Sequence, residues 1–394
     1  MNLWLFDLDG VLIHPGGYRE ALRKTVAHFS REMGNPDRPL DESVIEAFEA
    51  QGITCEWDIA GICAAADAFT IWQANPNLHL PSDFPRAMHV LQKDSLERPE
   101  PEYAEWARRV GGLGSEAPST SAAKIFRQEA GHAESDIDRA REFDSVLDAL
   151  LGHPREFARS PVMQYFQQFT LGSRAYSEFY HAESTVETPS LLAELDRPAI
   201  SVSGREKILV LHRKKRIHAA IITARPCRPH ETVDDPTEYP SEAEIAIKTA
   251  GLEELPLVGA GHMLWLAKRH GQMPDAYLKP NPTHSLAAFA LALGAGEGDG
   301  LEAARSLVED GKLLPPLDSL RERGADVLVF EDSPTGVLAT QSAADLLKRR
   351  DVNARLSFFG VAAGGEKRAA LRALGAEVFT TTDGALENAC MKMD

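Results

Sequence analysis

The sequence predicts an α/β fold in which a parallel sheet is covered by helices and carries a large second unit that is mostly α-helical. Three observations predict it. Short apolar or β-branched runs each lead into a polar loop rich in reactive side chains, helical patterns lie between and after these runs, and a long stretch of different character separates the first run from the second.

The runs are Leu3–Phe6, Ile217–Ile222, Ala276–Leu278 and Val327–Phe330, each read as a buried strand. The last third of the chain goes on alternating strand and helix through Leu356–Val361, Lys367–Leu374 and Glu377–Phe379. Ligands of such sheets bind at the carboxyl ends of the strands, where the loaded loops stand here.

The intervening stretch reads as helical and irregular. Tyr18–Met33 carries Leu22, Val26, Phe29 and Met33 at spacings of four, three and four, the stripe of an amphipathic helix, with Gly34 placed to end it. Asp41–Ala50 and Trp57–Ala68 are weaker helical patterns. Asn75–Pro101, rich in proline and polar residues, and Gly112–Ala123 have the composition of exposed loops or partial disorder. No internal repeat is visible. The expected organisation is a core of residues 1–13 and 200–394 with a helical domain of residues 14–199 inserted into it.

Composition narrows the function classes. At 394 residues the chain exceeds the usual single domain of roughly 100–200 residues. With 43% hydrophobic residues it can bury a sizeable core without staples. Cys55, Cys63, Cys227 and Cys390 are far apart and form no CxxC pair, which argues against a disulfide framework or structural zinc and for a reducing, cytoplasmic setting. An acid already stands at position 7, no basic leader precedes an apolar run, and Ala287–Leu293 falls far short of the about 18 apolar residues of a membrane span, so neither signal peptide nor membrane is expected. A formal net charge of −17 repels nucleic acid, so any bound phosphate needs a local metal or buried lysine.

Four loops carry the chemistry. Asp7-Leu8-Asp9-Gly10-Val11 puts two carboxylates at the first strand end, with Gly10 allowing a tight turn; one acid can attack phosphorus while the other moves the leaving-group proton. Glu331-Asp332-Ser333-Pro334-Thr335-Gly336 follows Val327–Phe330 and opens a helix, with Ser333 as N-cap and Pro334 in the first turn. Its acids, with Asp7, offer the hard oxygen ligands that magnesium prefers. Thr223-Ala224-Arg225-Pro226 ends Ile217–Ile222 and brings a hydroxyl and a backbone amide to where a phosphate oxygen is held. Lys279-Pro280 supplies an ammonium that offsets charge on the nucleophile and phosphoryl oxygens.

Each loop alone has an ordinary explanation. A DxDG is also a solvated turn, acids before a helix complement its dipole, a threonine at a strand end forms turns, and Arg225 and Lys279 read alone as surface charges. The strength is in the set, because the four loops follow one another in order, each at the end of an expected strand.

As FDLDGV, IITAR, LKP and VFEDSPTGV, these loops resemble the four motifs of the haloacid dehalogenase-like superfamily. The resemblance covers residues 1–13 and about 200–394, including the trailing FFGVAAGGEKRAALRALGAEVFTTTDGAL. It implies a Rossmann-like core with a helical cap inserted after the first motif. It further implies that Asp7 forms an aspartyl-phosphate, that Asp9 acts as general acid and base, and that Thr223, Ala224 and Lys279 hold the phosphoryl group. Magnesium would be bound by the Asp7 carboxylate, the Asp9 main-chain carbonyl and Asp332, with Glu331 as a further ligand.

Departures from the pattern are Leu12-Ile13-His14-Pro15 in place of an acid after the first motif, the extra segments Gly294–Leu317 and Cys227–Glu242, expected as surface insertions or lids, and the length of the insert. Within the insert, Gly52–Asp58 and Gln167–Ser173 resemble segments of relatives with large caps; Glu56, Trp57 and Asp58 read as a buried tryptophan with capping acids. The thirteen histidines show no metal-ligand spacing, and His14 and His284 read as ordinary residues.

The expected activity is magnesium-dependent hydrolysis of a small phosphomonoester, the partner being a small phosphorylated metabolite. A phosphomutase keeps all these residues and stays open. A dehalogenase lacks the second acid and the metal, and a phosphonate hydrolase needs a lysine in a recognisable context, which Lys24, Lys93 and Lys124 lack. From another class, a non-catalytic binding or regulatory module on the same fold stays open, though the intact motifs weigh against it.

Overall fold

Strand β1 (Asn2–Asp7) forms from an unbroken apolar run whose Leu3, Trp4, Leu5 and Phe6 are all fully buried, as a strand covered on both faces requires. The computed structural model describes residues 1–36, 40–111, 117–133, 137–154, 156–229 and 233–393. The further strands of the sheet are β2 (His218–Ile222), β3 (Leu257–Val258), β4 (Ala325–Glu331), β5 (Ala354–Val361) and β6 (Glu377–Phe379). All six are parallel, in the order β3-β2-β1-β4-β5-β6. This is the Rossmann order, and its direction reverses between β1 and β4. The crevice at the carboxyl ends of those two strands is the topological switch point, the ligand position of the fold.

Alternation along the strands divides the core. Leu3, Leu5, Ala220, Ile222, Val327 and Val329 pack on one face with helices Pro282–Ala292 and Pro334–Lys348. Trp4, Phe6, Ala219, Ile221, Leu328 and Phe330 pack on the other with Val202–Arg213, Glu242–Ala250 and Thr382–Met391. Phe6, Phe330 and Phe359 stack across β1, β4 and β5 with centroids 4.5 and 5.2 Å apart. Each such buried ring contributes roughly 1.5–3 kcal/mol.

The expected strand Ala276–Leu278 is instead a run of turns. Ala276 N–H donates to the Met273 carbonyl at 3.0 Å, Leu278 N–H to Asp275 at 3.1 Å and Asn281 N–H to Leu278 at 2.8 Å. Three apolar residues between Pro274-Asp275 and Pro280-Asn281 are too few to hold a ladder against such turn formers. The edge position belongs to Leu257–Val258, a pair too short to show any periodicity. The segment Gly294–Leu317 is not a simple surface insertion: helix Glu297–Arg305 and the turn after it bury Leu301, Ala303, Ala304, Leu307 and Leu317 in the core.

The chain divides into two compact units, Met1–Gly16 with Leu195–Asp394, and Gly17–Glu194. Within the first unit the outgoing and returning chains run side by side. Ile13–His14 pairs antiparallel with Arg197–Pro198, and Ala199 N–H donates to the Leu12 carbonyl at 2.8 Å.

The second unit is helical. Its expected first helix spans Gly16–Glu32, and Gly34, at φ +75°, lets the chain leave it through Gly34 N–H to the Arg31 carbonyl and Asn35 N–H to Ser30. Helix Glu56–Ala74 runs longer than its sequence pattern because it is buried on almost every side, with Ala60, Ile62, Cys63, Ala64, Ala65 and Ala66 fully covered, and so shows no stripe. Around it Trp106 stacks on Phe126 at 4.0 Å and Trp72 on Phe143 at 4.9 Å. Buried Arg139 lies 3.9 Å over Trp72 and donates to the carbonyls of Trp72, Asn75 and Leu78, closing the end of that helix. Asp58 is buried and accepts from the Ser119 hydroxyl, while Trp57 meets Phe166 edge-on at 5.9 Å.

Two expected loops hold helices. Phe84–Leu91 lies within Asn75–Pro101, capped by Asp83 accepting from Arg86 N–H at 3.1 Å. Pro118–Ala133 takes up the end of Gly112–Ala123, whose residues 112–116 lie outside those described. Proline and aspartate start helices as readily as they make turns, which is why composition alone mistook them. Among the described residues no helix is long and apolar enough to cross a membrane.

Candidate active site

Asp7 ends β1, and the chain then turns at once. Gly10 sits at φ +75° with its N–H donating to the Ile13 carbonyl at 2.8 Å. A Cβ on Gly10 would stand 2.1 Å from Oδ2 of Asp332, so the absence of a side chain serves both the turn and the close approach of the first loop to the fourth.

At the end of β4, Glu331 is 2% exposed. Its Oε2 accepts from Asp332 N–H at 3.0 Å and its Oε1 from the Ser333 hydroxyl at 3.1 Å. Ser333 caps helix Pro334–Lys348 by accepting from Gly336 N–H at 3.2 Å, with Pro334 opening the helix. Gly336 carries no Cβ where one would lie 1.3 Å from the Glu331 carboxylate.

Lys279 ties the two strand ends together. Its Nζ donates to Asp7 Oδ1 at 2.6 Å and to Glu331 Oε1 at 3.0 Å, with about a tenth of its side chain exposed. It arrives on the turn before helix Pro282–Ala292, which Asn281 caps by accepting from Thr283 N–H at 2.9 Å. Burial works against the Lys279 ammonium, yet the carboxylates of Asp7 and Glu331 outweigh it and hold its pKa above the ordinary value. Asp7 is pushed well up, first by burial and then by Glu331 and Asp332, with Lys279 pulling the other way. Asp332 is pushed up to about 6, chiefly by burial, although Lys367 donates to its Oδ2.

Thr223 lies one residue beyond Ile222, the β2 partner of Asp7 in the register. It is 1% exposed, its N–H donates to the Val258 carbonyl at 2.9 Å, and its hydroxyl accepts from Arg225 N–H at 3.1 Å. Ala224, between them, is exposed. The Asp9 carboxylate is gripped by Arg225, Nε reaching Oδ1 at 3.0 Å and Oδ2 at 2.9 Å, and Nη2 reaching Oδ1 at 2.5 Å. Arg225 is therefore not the surface charge that its residue type suggests. It is 2% exposed, and its Nη1 donates to Asp196 Oδ2 at 2.8 Å.

Sequence reasoning missed three of these groups. Arg225 stood inside a quoted motif, and burial of the whole β2 end was its only signal. Asp196 and Lys367 gave none, because their contacts cross 29 and 35 residues. His284, expected to be ordinary, is fully buried with Nε2 3.2 Å from the Val258 carbonyl, and His14 is exposed on the short antiparallel pair.

The donor set suits a hard dication. Asp7, Glu331 and Asp332 each offer a carboxylate oxygen, and these lie within 4.8 Å of one another. Five carboxylates (Asp7, Asp9, Asp196, Glu331 and Asp332) stand against three cations (Arg225, Lys279 and Lys367), a surplus of two negative charges when all are ionised. Burial raises Asp7 and Asp332 most, the neighbouring carboxylates add to it, and a bound magnesium would offset both.

The fold and this constellation define a class: a Rossmann-type α/β core with an acidic, lysine-bridged centre at its switch point. No protein-family model and no curated protein matches the sequence. Solved structures do. A Northeast Structural Genomics Consortium target is 14% identical over the whole of both chains with a TM-score of 0.60. A phosphatase from Thermococcus thioreducens is 16% identical, covering 95% of this chain and all of its own, with a TM-score of 0.40. A hydrolase from Pseudomonas syringae is 14% identical over the whole of both chains with a TM-score of 0.33. At such identities a likeness bears on the fold. What it shows is the fold alone: a parallel Rossmann-like core with a helical unit inserted after the first strand.

Proposed function

We propose that the chain is a magnesium-dependent phosphatase of the haloacid dehalogenase-like superfamily, hydrolysing a small phosphomonoester through an aspartyl-phosphate on Asp7. The observation that carries this reading is the Lys279 ammonium bridging Asp7 and Glu331 at the carboxyl ends of β1 and β4, with Asp332 alongside. An acid so placed can attack, and the cation beside it keeps it oriented.

In the first step an Asp7 carboxylate oxygen forms a bond to phosphorus in line with the ester oxygen, whose bond to phosphorus breaks. Asp9 gives its proton to that departing oxygen. In the second, Asp9 takes a proton from water as its oxygen attacks phosphorus, and the bond from phosphorus to Asp7 breaks, freeing inorganic phosphate. Lys279, the Thr223 hydroxyl and the Ala224 amide hold the phosphoryl oxygens. Magnesium, held by Asp7, Asp332 and the Asp9 carbonyl with Glu331 nearby, would neutralise phosphate charge when bound. Glu331 already accepts from Lys279, Ser333 and the Asp332 amide, which supports a role in holding Lys279 alongside any part in binding the ion.

The net charge of −17 supports a small diffusible phosphorylated metabolite over nucleic acid. The four free cysteines support a reducing, cytoplasmic setting. The test is release of inorganic phosphate from para-nitrophenyl phosphate with magnesium. Turnover that is lost on chelation and in Asp7→Asn is expected; an Asp7→Asn variant as active as the parent would refute the assignment.

A further inference from the structure

The steps above use Asp9 but leave unused the buried Arg225–Asp196 pair that holds it. Side-chain exposure is 1% at Arg225, 0% at Asp196 and 30% at Asp9, so only the Asp9 end reaches outward. We infer that Asp196, through Arg225, fixes the carboxylate of Asp9 for proton delivery, so that both are positioning residues for the cleavage of poor leaving groups. This rests on the reading of Asp9 as the proton shuttle.

The geometry carries the argument. A guanidinium is a rigid planar fork, so fixing one edge fixes the other. Asp196 holds Nη1, which leaves Nε and Nη2 for Asp9. The Arg225 backbone is pinned as well: its N–H donates to the Thr223 hydroxyl at 3.1 Å, its carbonyl accepts from Ala260 N–H at 2.9 Å, and the following Pro226 carbonyl accepts from Ala243 N–H at 2.9 Å. Neither end can drift. Asp196 is itself held where the chain returns to the core, between helix Leu191–Leu195 and the Arg197–Pro198 strand that pairs with Ile13–His14 just after the first motif.

The two oxygens of Asp9 are treated unequally. Oδ1 accepts from both Nε and Nη2, whereas Oδ2 accepts from Nε alone at 2.9 Å. Oδ2 therefore keeps the lone pair that can carry a proton, and the guanidinium aims it. As that proton passes to the leaving oxygen, the phosphorus–oxygen bond breaks and Asp9 becomes a carboxylate, the form a bidentate arginine holds most firmly. Proton delivery matters where the leaving oxygen is strongly basic, as in an alkyl ester, and little where it is a nitrophenolate.

The experiment compares an alkyl phosphate, glycerol phosphate, with para-nitrophenyl phosphate, at saturating magnesium, in the full chain and in Asp9→Asn, Asp196→Asn and Arg225→Lys. General-acid assistance is typically about 100- to 10,000-fold, so Asp9→Asn is expected to lose about 100-fold more on the alkyl ester than on the aryl one. Asp196→Asn is expected to reproduce that selectivity at about tenfold or more, with an altered pH profile on the alkyl ester. Arg225→Lys, which keeps the charge beside Asp196 while removing the planar fork, guards against a variant that fails to fold and is expected to lose at least as much selectivity as Asp196→Asn. Equal losses on both esters in Asp196→Asn and Arg225→Lys, with Asp9→Asn still selective, overturn the inference and leave the proposed function standing. Loss of selectivity in Asp9→Asn, or a parent inactive on both esters, sinks that underlying reading together with the inference.

Discussion

The two units solve the problem of burying polar groups in opposite ways. In the inserted unit, buried charged side chains meet neutral partners across the helices, Asp58 the Ser119 hydroxyl, Asp67 the Tyr103 hydroxyl, and Arg139 three carbonyls. In the core unit, carboxylates outnumber the cations that bridge them at the ends of β1 and β4, where Asp7 and Asp332 are driven up in pKa first by burial and then by neighbouring carboxylates. Matched burial stabilises a fold; mismatched burial stores potential for a ligand that can relieve it. The contrast singles out the ends of β1 and β4 as the candidate site without reference to any relative.

Substitutions can sharpen this contrast, the largest effect being expected in the insert. Trp72 is fully buried between Phe143 and Arg139, and Trp72→Ala should cost about 4 kcal/mol in urea unfolding, a pure stability effect. A loss below about 1 kcal/mol would mean that the aromatic cluster does not organise this unit.

In the core, Lys279→Met should lower kcat for para-nitrophenyl phosphate by about 100-fold, near 2.7 kcal/mol, measured on the folded fraction. The opposite pattern, unfolding with kcat preserved in the folded fraction, would make Lys279 structural.

Histidine offers a comparison, since His284 is buried in the core unit and His28 in the insert. His284 in the core is lowered to about 3 by burial and by Lys279, and His28 in the insert to about 4 by burial and by Arg31. Both stay neutral in the folded chain while the unfolded chain takes up protons below about pH 6.5. Their contribution is full above that pH and is lost as the pH falls toward the folded values. Between pH 7 and pH 5 the parent should therefore lose about 2 kcal/mol more stability than His284→Gln, read from urea midpoints. Parallel losses in parent and variant would exclude His284 as a source of the acid sensitivity.

The smallest effect concerns the proposed ion. Lys367 donates to Asp332, so Lys367→Met should tighten manganese binding, measured calorimetrically, by a factor of about three, or about 0.7 kcal/mol. Weaker binding in the variant would show that Lys367 assists the ion instead of competing with it.

How much of this was legible follows from burial. Leu3–Phe6 and Val327–Phe330 announce themselves because strands covered on both faces need continuous apolar runs. Leu257–Val258 is too short to do so, and Ala276–Leu278 imitates a strand while its flanking prolines and polar residues make turns. Helix Glu56–Ala74 hid its length because burial on nearly all sides erases the periodic stripe that marks a surface helix. At the site, Asp7, Asp9, Thr223, Lys279, Glu331 and Asp332 were legible as residue types in a fixed order. Their partners were not. Arg225 grips Asp9 across 216 residues, and its burial depends on Asp196, which no local pattern joins to it.

The central claim is that Asp7 is the nucleophile. The most direct measurement is acid quenching during turnover of para-nitrophenyl phosphate with magnesium, in the Asp9→Asn variant where breakdown of the intermediate is slowed, followed by peptide mass spectrometry. The account predicts one phosphoryl group on the peptide containing Asp7 and none when Asp7 is also changed to Asn. Steady phosphate release with no adduct on Asp7, persisting in the Asp7→Asn chain, would contradict it.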